Sequence, residues 1–249
     1  MTRQLTRVVM VVPTYNEIDN LREIVSRIHG AVPIADVLVV DDSSADGTGE
    51  LADELAAADA RVKVLHRAGK GGLGSAYLAG FAWALEQGYD VIGEIDADLS
   101  HPAEVLPDLL AALEDADLVI GSRWVPGGRV TNWSLSREAL SRGGNIYIRL
   151  LLGIPVRDAT AGYRLFRRTT LERIDLGTVI STGYVFQADL AYRTHQAGLR
   201  IREVPINFVD RVRGESKMTG RVASESLRRV TQWGVAQRRA QLARLLKRR

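Results

Sequence analysis

The feature that most constrains this chain is an alternation in its first half, where short apolar runs are separated by stretches of helical periodicity. Residues 8–13 (VVMVVP) form an almost wholly apolar run, the pattern of a strand buried on both faces. From Glu17 to His29, Leu21, Ile24, Val25 and Ile28 recur at helical spacing, and Gly30 is expected to end that helix. Residues 35–42 read as a second strand, and Asp46, Gly47 and Thr48 open a helix carrying Leu51 and Leu55. A third strand is expected over 61–66 and a helix over 74–87. Two more strands follow at 90–96 and 116–122, with a helix over 103–113 between them. Strands spaced by helices at this interval predict an α/β fold, a Rossmann-like, mostly parallel sheet flanked by helices.

The pattern changes after Ser122. Residues 123–135 are rich in Gly, Trp and Pro and read as a loop. Trp124 and Trp133 there suit a mobile lid or a lipid-facing surface, with burial in the core as the alternative. A helix is expected over 136–152, an extended segment closing 157–166, a helix over 183–197 and extended chain over 199–209. Helix resumes from Thr219. The domain reading is one catalytic unit, 1–218, with a basic helical extension, 219–249.

Composition removes several classes. There is no cysteine, so disulfides and thiolate metal sites are excluded, and a reducing cytosol fits. No apolar stretch approaches the ~18 residues of a membrane span. The N-terminal apolar run is too short and wrongly flanked for a signal peptide. Charge is uneven. Residues 221–249 hold nine Arg or Lys against Glu225 alone, a net +8 in a chain whose total is +3, which leaves −5 for residues 1–220. Such a tail suits an anionic partner, or is simply a solvated helix face.

Parallel sheets bind ligands at the carboxyl ends of their strands. Here those ends read Pro13-Thr14-Tyr15-Asn16-Glu17, Val40-Asp41-Asp42-Ser43-Ser44, His66 through Gly74, Asp96-Ala97-Asp98 and Gly121-Ser122-Arg123. All five are polar. Asn16 or Asp46 alone could be helix caps, and Pro13 a strand stop, but five polar ends on one edge indicate a site. In Asp96-Ala97-Asp98 the two carboxylates lie two residues apart, on one face if the chain is extended. They repel unless a cation or donor lies between them, and hard divalent cations take carboxylate and phosphate oxygens. The segment Gly69-Lys70-Gly71-Gly72-Leu73-Gly74 contains G-x-G-x-x-G, but in the third strand-to-helix turn, whereas a dinucleotide fold places it in the first. His29 and His195 read as surface or packing residues, and His101 as part of the turn before Pro102.

The segments PTYNE, VVDDSSADGT, GKGGLGSAY, DADLSHP and GSRW, in this order, resemble glycosyltransferase family 2, which has the glycosyltransferase A fold. SREALSRGGN, DATAGYRLFRR, GYVFQADLAYR and VPINFVDRVRGESKM make the second half similar to the dolichol- or polyprenol-phosphate mannosyltransferases. The resemblance runs from about Val8 to Met218. It implies that Pro13, Tyr15, Glu17, Val40 and Asp42 frame guanine and ribose. It also implies that Asp96, Ala97 and Asp98 meet the diphosphate and a Mg²⁺ or Mn²⁺ ion, with Asp98 the direct ligand. Arg123, Arg211 and Lys217 would bind phosphates or the donor sugar, Gln187 would lie near the sugar, and Arg137, Ser141 and Arg142 would receive the lipid phosphate. Asp96, Asp98, Arg211 and Lys217 are the expected catalytic set. The implied partners are GDP-mannose, a polyprenyl phosphate and a membrane surface or integral membrane protein, with no nucleic acid. The implied location is peripheral, at the cytoplasmic face of the membrane. This chain departs from the pattern in having Ser100 where some relatives carry a metal-binding Gln, and Asp189 where relatives often carry Glu. It also lacks the C-terminal membrane helices of many relatives. The alternatives are glucosyl transfer from UDP-glucose, an NAD(P)-binding oxidoreductase using the glycine loop, and a basic nucleic-acid-binding module.

Overall fold

The computed structural model describes residues 7–179, 184–210 and 231–234. Their backbone forms a seven-stranded mixed sheet with helices on both faces and a separate two-stranded ribbon. The elements run β1 (Val8–Thr14), α1 (Ile18–Ala31), β2 (Asp36–Asp41), α2 (Thr48–Ala58), β3 (Val62–His66), α3 (Leu73–Glu86), β4 (Val91–Glu94), a 3₁₀ turn (Ala103–Val105), α4 (Leu106–Leu113), β5 (Leu118–Ser122), β6 (Arg129–Thr131) and α5 (Leu135–Leu152). They continue with β7 (Arg164–Arg167), α6 (Arg168–Arg173), a 3₁₀ turn (Leu176–Thr178), α7 (Tyr184–Gln196), β8 (Ile201–Pro205) and β9 (Asn207–Val209).

Sheet order is β3-β2-β1-β4-β7-β5-β8. The first four strands and the β5–β8 pair are parallel, whereas β7 runs antiparallel to both β4 and β5. The sheet is therefore mostly parallel, as expected, with one reversed strand in its middle. That reversal matters for the site, because it delivers the start of β7 to the edge where the other strands end.

Alternation along β1 divides the core between the two faces. Val9 and Val11 join Leu38, Val40, Tyr77, Phe81, Phe166 and Phe186 on one side. Val8, Met10 and Val12 join Leu21, Ile24, Ile28, Leu106 and Leu109 on the other. α3 approaches the first face so closely that a Cβ on Gly80 would fall into Val11. Gly80→Val is expected to destabilise the fold by about 1–3 kcal/mol through overpacking, read as a lowered urea midpoint. An unchanged midpoint would mean the helix can lift off the sheet at little cost.

Three expectations are corrected. Gly30 does not end α1, which continues to Ala31. The stop comes from Pro33, since a residue before proline is driven out of helical geometry and Val32 is extended (φ −138°, ψ 90°). The supposed loop over 123–135 contains β6, paired with β9. The fourth strand ends at Glu94, so Asp96 and Asp98 lie beyond it, Asp98 in a turn, and not on an extended strand. Beyond Thr219 only Thr231–Gly234 are described; they are helical and pack beside α5, with Tyr147 and Thr231 hydroxyls 2.7 Å apart. The proposed boundary at 218/219 lies outside the described residues.

Candidate active site

Five strand ends meet at one edge of the sheet, as the sequence requires. The turns after β1 and β2 are stitched together by side-chain hydrogen bonds. Thr14 Oγ1 donates to Asp41 (3.0 Å), the Asn16 amide to Ser44 Oγ (2.9 Å), and the Ala45 amide to Asn16 Oδ1 (3.0 Å). The amides of Ile18 and Thr48 both donate to Asp46, tying the starts of α1 and α2 to one carboxylate. Asn16, Ser43 and Leu99 hold left-handed backbone angles (φ 56°, 55° and 62°), each just past a strand end. Non-glycine residues pay strain there, and such strain gathers at ligand-binding edges.

Among the residues assigned to the nucleotide, Pro13, Tyr15 and Glu17 are half-buried along this edge. The Lys70 ammonium lies 4.0 Å above the Tyr15 ring. Glu17 accepts from Asn20 Nδ2 at 2.9 Å. The Val40 side chain is in the core under α3, so it has only backbone to offer a ligand. Asp42 pairs with Arg67 and accepts the amides of Gly71 (3.0 Å) and Gly72 (3.3 Å). This last contact bears on the oxidoreductase reading. The loop amides that would cradle a dinucleotide pyrophosphate are turned onto an aspartate of the same chain.

Beyond β4 the chain folds back tightly. The left-handed Leu99 lets Ser100 return to Asp98, whose Oδ1 accepts from the Ser100 amide (3.1 Å) and hydroxyl (2.6 Å). Asp96 is held from the other side by the buried Tyr77 hydroxyl (3.0 Å), and the missing side chain of Gly162 leaves it room. The turn also swings in His101. Ligand atoms of Asp96, Asp98 and His101 lie within 4.8 Å of one another. His101 is buried against Tyr163 and Phe208. Burial holds its imidazole well below the ordinary histidine range, and so in the neutral form that can ligate. Two carboxylate oxygens and a neutral imidazole are a donor set that fits a divalent cation. The carboxylate pair was legible in the sequence; the histidine's part in it was not, although its D-x-D-x-x-H spacing was the available signal.

Behind this cluster, Arg164, at the start of the reversed β7, is fully buried. It donates to the carbonyls of Ala161 (2.8 Å), Gln187 (2.7 Å) and Ala159 (2.8 Å). Its Nε lies 3.4 Å from Oε1 of the equally buried Glu94. Burial, opposed by Arg164 and reinforced by Asp96, pushes the Glu94 carboxyl up to about 8. Gln187 is buried on α7, with its side-chain amide beside Glu94.

Arg123 is fork-paired with Asp158 (2.6 and 2.7 Å), donates to Thr160 (2.9 Å), and is surrounded by Trp124, Trp133 and Phe208. Burial works against the Asp158 charge. The Arg123 charge and hydrogen bonds outweigh it and hold that carboxyl below its ordinary range. Trp124 and Trp133 meet edge-to-face. Ser134 caps α5 by accepting the Arg137 amide. Arg137 pairs with Asp210 (2.6 Å) over Trp133, and Arg142 pairs with Glu138 (2.8 Å) over Trp124. Ser141 lies one turn beyond Arg137. Arg211 and Lys217 lie outside the described residues.

Residues 9–175 match the family described as Glycosyl transferase family 2. The chain is 55% identical to the undecaprenyl-phosphate mannosyltransferase of Micrococcus luteus, over 93% of this chain and 96% of that one. It is 53% identical to the polyprenol monophosphomannose synthase of Mycolicibacterium smegmatis, over 94% and 89%. Its fold is similar to that of glucosyl-3-phosphoglycerate synthase from Mycobacterium tuberculosis, crystallised with Mn²⁺, UDP and glucosyl-3-phosphoglycerate. The TM-score is 0.63 at 21% identity, over 90% of this chain and 77% of that one.

Proposed function

The chain belongs to glycosyl transferase family 2, and from that premise we propose that it is a polyprenyl-phosphate mannosyltransferase, moving mannose from GDP-mannose onto the phosphate of a polyprenyl phosphate. The observation that carries this reading is identity above one half, over nearly full length, to two enzymes of that name. The carboxylate cluster at the sheet edge and the two arginines on α5 supply the chemistry.

The acceptor phosphate is anionic near neutral pH and needs no general base to act as a nucleophile. The work of the protein is therefore positioning and charge stabilisation. Asp96, Asp98 and His101 would hold Mg²⁺ or Mn²⁺, with Ser100 orienting Asp98. A bound divalent ion would offset the charge growing on the departing diphosphate. Arg137 and Arg142 present planar, forked donors suited to the acceptor phosphate, and they leave carboxylate partners to do so. Arg211 and Lys217 would help hold the diphosphate. In-line attack on the α-linked sugar inverts the anomeric carbon and gives the β-linked lipid phosphate; an α product by NMR would overturn that step. The polyprenyl acceptor also implies work at a membrane, although no helix among the described residues is long and apolar enough to cross one.

Radiolabel transfer to a short polyprenyl phosphate in detergent, from GDP-mannose and from UDP-glucose in parallel, with Mn²⁺ or with EDTA, tests this reading. Transfer from GDP-mannose that EDTA abolishes is the expected result. Transfer from UDP-glucose alone would replace the sugar.

A further inference from the structure

Trp124 and Trp133 stand among three arginines. Their ring centroids are 6.3 Å apart. The Arg137 guanidinium lies over the Trp133 ring at 4.1 Å, and the Arg142 guanidinium over the Trp124 ring at 4.2 Å. Arg123 is 5.4 Å from one ring and 5.6 Å from the other. Both rings come from the segment between β5 and α5, and Trp133 also packs on Phe208 of β9 at 5.4 Å. Each guanidinium meets a carboxylate as well: Asp210 for Arg137, Glu138 for Arg142 and Asp158 for Arg123. A long arginine side chain is therefore held twice, by an anion at its N–H edge and by a ring beneath it. The negative ring faces also offset part of the repulsion among three clustered cations.

We propose, on the strength of the acceptor reading above, that Trp133 and Trp124 are positioning residues for the acceptor phosphate, acting through Arg137 and Arg142. An incoming phosphate competes with Asp210 and Glu138 for the N–H edges of the two guanidinium groups, because forked recognition of an anion uses those edges and not the face. The ring contact is the one that each arginine keeps through the exchange. It fixes where the guanidinium lies once its carboxylate has let go. Rotamer freedom that binding would otherwise take from a long side chain is already lost on folding, which favours the bound state. The identity of the ring then matters, since indole offers the strongest face to a cation, phenyl a weaker one and an aliphatic side chain none.

Calorimetric titration of the full chain with geranyl phosphate, with and without GDP and Mn²⁺, reads acceptor affinity apart from the reaction. Trp133→Leu is expected to weaken binding by about 3–30-fold, the strength of one cation–ring contact. Trp133 is only half-buried, so the variant should fold. Trp133→Phe is expected to fall between the leucine variant and the parent. Trp124 is buried, and Trp124→Phe, which keeps a ring in place, tests the Arg142 contact at the low end of the same range. In Arg137→Ala the Trp133 ring has no guanidinium of α5 to hold, so adding Trp133→Leu should weaken binding by less than about twofold more. In the transfer assay, Trp133→Leu should raise KM for the acceptor and leave kcat and KM for GDP-mannose within about twofold of the parent. Unchanged affinity in Trp133→Leu, a full additive loss in the double variant, or equal rises in both KM values would overturn the inference. A parent that binds geranyl phosphate but transfers no mannose would instead remove the proposed reaction and leave the positioning role standing.

Discussion

Asp98→Ala is expected to abolish metal-dependent mannosyl transfer, with at least about a thousandfold loss of kcat/KM. Charge stabilisation by a bound divalent ion amounts to several kcal/mol, and each 1.36 kcal/mol is about a decade in rate. The loss is expected to be chemical more than structural, because Asp98 accepts the amide and hydroxyl of Ser100 within its own turn. The melting temperature should therefore stay close to that of the parent. Ser100→Ala removes only the orienting hydroxyl and is expected to cost about 10–100-fold, the range for loss of a supporting partner, with part of the loss recovered at high Mn²⁺. Radiolabel transfer across a Mn²⁺ titration distinguishes these cases. An Asp98→Ala enzyme within tenfold of the parent would remove the carboxylate cluster from the mechanism.

The second large effect is on stability. Arg164→Met leaves three buried carbonyls, those of Ala159, Ala161 and Gln187, without their donor, and it leaves Glu94 without its neighbouring cation. Each buried acceptor left unsatisfied costs about 1–3 kcal/mol, so a loss of at least about 3–5 kcal/mol is expected for the three. For a chain of this size that is a fall of roughly 6–20 °C in melting temperature. Glu94→Gln behaves differently. Burial already pushes that carboxyl up to about 8, so it is mostly neutral at pH 7, and the amide has nearly its shape. A change under about 1 kcal/mol is expected. Calorimetry of both variants in EDTA decides the matter. Equal losses would mean that Arg164 and Glu94 act as a full ion pair.

What could be foreseen followed from local pattern. The apolar runs and helical spacings located the strands and helices of the first half, and polar residues after each run marked the edge where a ligand would sit. Asp96 and Asp98 were legible because they follow a strand exit. Three things were not. The polarity of β7 was hidden, because alternation of side chains is the same in either direction and Arg164–Arg167 is only four residues long. The Arg123–Asp158 fork spans 35 residues of sequence, and the Arg164 carbonyl partners lie on two different elements; no spacing rule encodes such closures. The role of His101 depended on the left-handed Leu99, a conformation a bulky residue adopts only when the surrounding structure forces it. α5 was foreseen as a helix, but not the indole faces on which its arginines lie.

The reversed strand at the centre of the sheet has a consequence for biosynthesis. β4 and β5 are not hydrogen-bonded to each other; each waits for β7. On a ribosome, Arg164 emerges long after Glu94, by roughly ten seconds at about 5–20 residues per second. Through that interval the nascent chain carries an unpaired, apolar edge at β4, the kind of edge that pairs with other chains. Joining of β4 to β5 through β7 and arrival of the Asp158–Tyr163 segment at the site are the same event. Until β7 is made, the edge of β4 stays open and the site lacks the segment that precedes that strand.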